Sequence, residues 1–518
     1  MKMTLTTLLN DELDMDECFD VDTAKSLAHK VFSAEQVRDN EVSAAQAANC
    51  SMFALMQRAG EAAFKQLILT WPDAQTILVL TGHGNNGGDG SIVADLARQH
   101  GLQVTLCCAD SSQKPKGDAL LARQQWLQEG GQVLAWQDLD FTRFDVIVDA
   151  LLGTGLKGEV RGDYLDIIRK INAACMPVMS IDIPSGLDAN KGYPLGSAVK
   201  ANCTVTFVGI KSGLCTGMGK EYTGELVFAE LGIGSEFLRL VHRKAQLVSY
   251  VGLFPLAARR LNTHKGSHGK LLCIGGDKGM AGAIRMTGEA ALRTGAGLLK
   301  VCCHRDSELA ISSGRPEFML GSQAPEQQFS WATCLAIGPG LGQNEWGQAL
   351  FTSMVEHLRW HPKPLIIDAD GLNLLAKSEQ QILNSPALVI TPHAGEAARL
   401  LACSIEDIEH NRYGAAIEMA NKYQACCVLK GPGTIISDGS QSFVCSDGNP
   451  GMASGGMGDV LTGIVAALLA QNLSALHAAI YGVCLHSAAA DKLAAQYGQR
   501  GMLATDLFEI VRKLVNWK

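Results

Sequence analysis

What this chain lacks narrows its class before any motif is considered. It contains no G-x-x-x-x-G-K-[ST] sequence, so a Walker-type phosphate loop is excluded at motif level. No C-x-x-C occurs among its 16 cysteines, and most of these lie in apolar, strand-like runs, as buried small hydrophobes do. A zinc or disulfide framework is therefore not expected, whereas a reducing cytoplasm is. No apolar run is long enough to cross a bilayer; the longest, residues 460–470, suits a buried helix. The first residues carry Asp11, Glu12, Asp14, Asp16 and Glu17 around no apolar centre, which argues against a secretory signal. Positive charge is also short: 44 Lys and Arg against 52 Asp and Glu leave a net charge of −8. That balance disfavours nucleic acid and anionic membrane as partners.

What is present describes a core-forming globular protein. Apolar residues make up 47% and charged residues 19% of 518 positions, enough for two large domains or three smaller ones. One grammar recurs: a short apolar run, a glycine-rich or polar turn, then a helical pattern. The spacing predicts strands near 76–81, 103–108, 144–149, 178–182, 203–208 and 225–231. A second series falls near 270–276, 334–342, 364–370, 387–396 and 426–434. Near-continuous apolar strands separated by helices predict an α/β fold with parallel sheets covered on both faces. Residues 1–30, acidic and aperiodic, are expected to form a loosely ordered tail. One domain is then expected over 31–243 and another over 244–518. The stretch 232–261 between the two series shows mostly helical signals.

Ligands of open α/β sheets gather at the carboxyl ends of strands, and the polar turns of this chain share that address. Gly82-x-Gly84-x-x-Gly87 follows a strand and matches the dinucleotide fingerprint, with Asp110 ending the next strand. Asn85-Asn86-Gly87-Gly88-Asp89-Gly90 differs from the usual fingerprint, whose later positions pack a helix tightly onto the sheet. A direct polar contact and a tight Asn/Gly turn are evenly matched readings of this segment alone. Asp149, Asp182 and Ser185 tilt the balance, because carboxylates at the ends of apolar strands are poor packing choices. With Asn86 they offer hard oxygen ligands suited to K⁺, Na⁺ or Ca²⁺. Lys157 could bring positive charge to a phosphate, although a solvated loop lysine is the commoner case. Asp459 is the most telling residue. It sits in Gly455-Gly456-Met457-Gly458-Asp459 before an apolar helical run, where free N–H groups favour an anion. Helix capping is the commoner job for an Asp there. Beside a phosphate, an Asp suits proton removal from a hydroxyl under phosphoryl attack.

The first-half motifs, with Val148-Asp149-Ala150 and Ser180-Ile181-Asp182-Ile183-Pro184-Ser185-Gly186, resemble the epimerase part of the YjeF family of NAD(P)H-hydrate repair proteins. The resemblance spans roughly residues 30–240 and implies a Rossmann-like three-layer domain. It implies K⁺ held by Asn86, Asp149 and Ser185. It further implies hydrated NADH or NADPH (NADHX, NADPHX) contacted by Asn85, Asn86, Gly87, Gly88 and Asp89. Gly153, Thr154, Gly155, Leu156, Lys157, Gly158 and Glu159 would join them, with Asp182 as catalytic acid/base. The implied activity is interconversion of the R and S hydrates.

The second half resembles the ribokinase-like dehydratase domain of the same proteins over roughly residues 250–515. The carriers include Gly338-Pro339-Gly340-Leu341-Gly342, Thr391-Pro392-His393-Ala394-Gly395-Glu396, Lys430-Gly431-Pro432-Gly433-Thr434 and the turn before Asp459. The implied reaction removes water from the S hydrate at the expense of ADP with Mg²⁺, giving NAD(P)H, AMP and phosphate. Asp459 would take the hydroxyl proton. Lys430, Gly431, Pro432, Gly433, Thr434 and Gly458 would hold the nucleotide, and Ala283, Gly340, Gly342, His393 and Asp459 the hydrate. His393 could equally be a hydrogen-bonded structural residue, and its H-x-x-E setting is not the H-E-x-x-H zinc pattern. Asp370 and Asn373 receive no assignment. A homo-oligomer is expected. Two alternatives stay open: a ribokinase-type small-molecule kinase with an ancillary Rossmann-like module, and a non-catalytic dinucleotide sensor.

Overall fold

The computed structural model describes residues 27–110, 113–321, 324–378 and 383–516. Two sheets organise them. The first runs, in spatial order, Val133–Leu134, Gln103–Cys108, Thr76–Thr81, Val146–Ala150, Val178–Ile181, Cys203–Phe207 and Glu225–Ala229. Every pairing in it is parallel. Its apolar residues alternate between two cores: Ile77, Val79 and Val148 on one side, Leu78, Leu80 and Ile147 on the other. That two-residue alternation, apolar on both faces, is why these runs form buried parallel strands.

The second sheet has twelve strands. Its parallel part runs Met319–Leu320, Leu298–Cys302, Lys270–Ile274, Cys334–Ile337, Leu365–Ile367, Leu388–Ile390 and Cys426–Leu429. Here too, Cys273, Ala336 and Ile366 face one core and Leu272, Leu335 and Ile367 the other. An antiparallel ribbon, Ile435–Ser437 and Ser442–Cys445, follows. Beyond it lie Ala245–Val248, Lys30–Phe32 and Ile210–Lys211, so the sheet crosses from the second half into the first.

Two expectations need correction. The stretch 232–261 contains the strand Ala245–Val248, which exists because Ser442–Cys445 and Lys30–Phe32 flank it. Residues 27–30 do not belong to a loose tail: Leu27–His29 form a 3₁₀ turn with Leu27 buried, and Lys30 opens a strand paired on both edges. The remainder of that expected tail lies outside the described residues.

Six helices position the sites: α1 (Ala34–Ala47), α2 (Asn85–Gln99), α3 (Ala281–Thr294), α4 (Ala394–Leu401), α5 (Arg412–Tyr423) and α6 (Met457–Ala470). A Ser33/Gln36 capping box starts α1. Beyond Asp459 in its first turn, helix α6 is buried nearly all round, packed on the sheet beside α3, so the long apolar run forms a core helix. Among the described residues no helix is long and apolar enough to cross a membrane.

Candidate active sites

In the first sheet and in the parallel part of the second, the strand order reverses beside the strand that comes first in the chain, Thr76–Thr81 and Lys270–Ile274, and several of the predicted turns lie at that switch point. In the first sheet these are the turns after Thr76–Thr81 and Val146–Ala150. A Cβ on Gly87 would lie 2.3 Å from the Gly82 carbonyl oxygen, and one on Gly90 2.4 Å from Ala150 Cβ. Helix α2 is thus packed hard against the sheet, contrary to the expectation that this segment departs from a dinucleotide fingerprint in that respect.

Asn86, at the start of α2, is buried, and neither of its side-chain polar atoms has a hydrogen-bond partner among the described residues. Asp149 is fully buried. Its Oδ1 accepts from Ser185 Oγ (2.5 Å) and Leu151 N (3.3 Å), its Oδ2 from Ser185 N and Ser180 Oγ (2.8 Å each). Burial raises its pKa, against the pull of those hydrogen bonds. No Lys or Arg pairs with it among the described residues.

Asp182 follows Val178–Ile181 at φ +62°, inside a three-residue turn closed by Ile183 N donating to Ile181 O at 2.7 Å. Val208, after the neighbouring strand, repeats this at φ +64°, with Gly209 N donating to Phe207 O at 2.6 Å. Left-handed backbone at a β-branched residue costs on the order of 1–3 kcal/mol. Both residues line one cavity of about 620 Å³. Asp182 accepts from Phe207 N (3.2 Å) and from the ammonium of Lys211, which also donates to Phe207 O at 2.9 Å. Lys211 is only 1% exposed, so its end of this ion pair is buried in the cavity wall.

The cavity brings together Asn85, Asn86, Asp89, Asp182 and the turn Gly153, Thr154, Gly155, Leu156 and Lys157. Gly87 and Gly88 are buried within α2, while Asp149 and Ser185 lie behind the wall. Gly158 and Glu159 are exposed outside it. Sequence reasoning missed Lys211 and Glu41, both in the wall. Lys211 follows an apolar run, the signal already used for Asp149. Glu41 falls in helical register with buried Val37 and Ala44, where an acid is out of place.

In the second half, Lys430 Nζ lies 2.7 Å from Asp368 Oδ1 and 3.8 Å from Glu396 Oε2. Asp368 Oδ2 accepts from Thr462 Oγ1 at 2.8 Å. Burial disfavours the Lys430 charge, but Asp368 and Glu396 outweigh it and hold its pKa above the usual value. A Cβ on Gly458 would sit 3.3 Å from Lys430 Nζ, so the amino end of α6 rests on this pair. Asp459, in the first turn of α6, has its pKa pushed up to about 7 by burial and then by Asp368, with Lys430 opposing. Gly456, at φ +92°, lets the chain turn into the helix.

His393 caps α4: its Nδ1 accepts from Gly395 N (3.0 Å), and Glu396 accepts from His393 N (2.8 Å). The structural job weighed for it is therefore filled, while its exposed ring adjoins the Lys430 cluster through Glu396. Ala283 and Gly340 come together, a Cβ on Gly340 lying 3.4 Å from Ala283 Cβ. Gly342 N donates to Asp370 at 3.0 Å, which gives Asp370 a structural place, and Asn373 accepts from Arg399. The turn from Gly431 to Thr434 packs on first-half residues: Gly217 N donates to Pro432 O at 2.8 Å and Thr216 Oγ1 to Gly433 O at 2.7 Å.

Comparison with known proteins finds a match in each half of the chain. The family described as YjeF-related protein N-terminus matches residues 52–213, and the family described as NAD(P)H-hydrate dehydratase matches residues 271–513. The chain is 46% identical over 496 residues to the bifunctional NAD(P)H-hydrate repair enzyme Nnr of Escherichia coli (strain K12), covering 95% of each. It is 44% identical to the enzyme of the same name from Coxiella burnetii (strain RSA 493 / Nine Mile phase I), covering 94% of this chain and 99% of that one. Among solved structures, the ADP/ATP-dependent NAD(P)H-hydrate dehydratase from Bacillus subtilis, co-crystallized with ATP/Mg2+, is 30% identical with a TM-score of 0.46; the match covers 50% of this chain and 93% of that one. Identity at this level along nearly the whole length of its relatives means that the chain belongs to the bifunctional NAD(P)H-hydrate repair enzymes.

Proposed function

We propose that residues 31–243 interconvert the R and S forms of hydrated NADH and NADPH, and that residues 244–518 dehydrate the S form at the expense of ADP. The observation that carries this reading is the setting of Asp459: a carboxyl poised near neutrality, in the first turn of a helix, against a buried Lys–Asp pair. A general base works best with a pKa near the operating pH, and a helix amino terminus favours transferring phosphoryl charge.

Hydroxide is a poor leaving group, and phosphorylation removes that obstacle. Asp459 takes the hydroxyl proton as that oxygen attacks the β-phosphorus of ADP and AMP departs. The ring nitrogen's lone pair then expels phosphate, and the neighbouring carbon gives up a proton to restore NAD(P)H. Lys430, Gly431, Pro432, Gly433, Thr434 and Gly458 hold the nucleotide; Ala283, Gly340, Gly342 and His393 contact the hydrate. Mg²⁺ bound with ADP would screen its phosphate charge.

In the first half, Asp182 manages the proton of the hydroxyl group on the stereocentre. Asn85 to Asp89 and the turn from Gly153 to Glu159 hold the dinucleotide. Asn86, Asp149 and Ser185 would hold K⁺: their donors are hard oxygens, and among the described residues the buried Asn86 amide has no hydrogen-bond partner and the buried Asp149 no cationic one. The ion would supply positive charge beside an anionic substrate. A cytoplasmic homo-oligomer is the form expected to act.

The test is recovery of reduced-nicotinamide absorbance from mixed R and S hydrate with ADP. The full chain recovers all of it and Asp182→Asn about half. Asp459→Ala recovers none, yet still interconverts the epimers. Unchanged AMP release by Asp459→Ala would overturn the dehydratase assignment.

A further inference from the structure

Epimerisation at a carbon bearing a hydroxyl and a ring nitrogen needs a proton donor as well as an acceptor. Asp182, tied to Lys211, provides one of these. Glu41 sits on the buried side of α1 with Val37 and Ala44, and lines the same cavity as Asp89, Asp182 and Lys211. Its carboxyl makes no hydrogen bond or ion pair to another described residue. An unanswered acid in a partly buried wall costs stability, which is offset only where a ligand completes its contacts.

We infer that Glu41 is the proton donor of the first-half reaction, paired with Asp182 as the acceptor. The inference rests on the epimerase reading of that cavity. The Asp182 carboxylate takes the hydroxyl proton, and the bond from that carbon to the ring nitrogen breaks. Its electron pair passes to nitrogen, which receives the proton of Glu41, and the carbon becomes an aldehyde. Rotation presents the other face of the aldehyde. Nitrogen re-adds, Asp182 returns its proton to oxygen, and Glu41 recovers its own. Nothing is consumed.

The surrounding charges suit this role. Burial, then Asp182, push the Glu41 pKa up to about 7, while Lys211 and Arg38 oppose. Asp89, facing it from α2, is raised well above its ordinary value by burial, Asp182 and Glu41 together. A donor with this affinity is loaded below about pH 7 and empties above it, so the donor-dependent rate falls as pH rises through that range.

The experiment uses the full chain and pure R hydrate without ADP, following the S form by chromatography across pH. Glu41→Gln is expected to lower kcat about 10²–10⁴-fold and to remove the decline above about pH 7, with KM changed less than about threefold. Glu41→Asp should restore part of the rate and the pH dependence. ADP-dependent dehydration of pure S hydrate should be unchanged, which verifies the fold. A Glu41→Gln enzyme with the wild-type rate and pH profile overturns the proposal, as does a rise in KM at constant kcat. Failure of the unmodified chain to interconvert the hydrates overturns the epimerase reading itself.

Discussion

Asp459 and Glu41 face the same physical situation. Burial and a neighbouring carboxylate raise both toward neutrality, so each binds its proton more tightly folded than unfolded. Such a group contributes stability that is present below its unfolded pKa near 4 and lost as pH rises through about 7. Asp459→Asn should therefore melt higher than the unmodified chain at pH 8, with a smaller difference at pH 5. Calorimetry at the two pH values measures this, and an equal offset at both would remove the burial and repulsion argument. The catalytic sign is opposite: a base must be ionised, so kcat/KM for dehydration should climb through about pH 7. Asp459 was legible as a residue because a carboxylate after a glycine-rich turn is anomalous on any sequence. Lys211 and Glu41 carried only a faint local signal, because their meaning comes from the contact of Lys211 with Asp182 and from the cavity that Glu41 lines with that pair.

At the scale of elements, α6 approaches α3 so closely that a Cβ on Gly463 would lie 2.1 Å from the Thr287 carbonyl oxygen and 2.8 Å from Ala290 Cβ. Gly463→Ala should cost about 1–3 kcal/mol through overpacking. It should also displace the first turn of α6, lowering dehydration while epimerisation persists. Thermal unfolding with both assays checks it; unaltered stability would mean that the two helices can part without strain. The strands Thr76–Thr81 and Gln103–Cys108 fall where the apolar runs predict them, because a strand buried on both faces leaves a continuous signal. Ala245–Val248 left none. Four residues amid helical patterns become a strand only when others lie beside them.

For the whole molecule, the joint between halves matters most. Arg412, 1% exposed, donates to Thr216 Oγ1 (3.0 Å) of the first half. It also donates to Leu429 O (3.3 Å), Lys430 O (3.1 Å) and Glu409 (2.9 Å) of the second. Truncating it leaves buried carbonyl groups unpaired, so Arg412→Ala should lose roughly 2–5 kcal/mol. One cooperative calorimetric transition should then split into two, as the halves melt separately. A single transition at the original temperature would show that this joint does not couple them. Sequence alone determined the two α/β halves, the switch-point turns and the separate sets of chemically anomalous residues, because periodicity and turn chemistry are local. Only the tertiary structure decided that the sheet crosses between the halves, that the turn from Gly431 to Thr434 docks on Thr216, and that Glu41 meets Asp182 and Lys211. Those outcomes depend on strand pairing, burial and electrostatics between residues far apart along the chain, which leave no periodic trace in either partner's own segment.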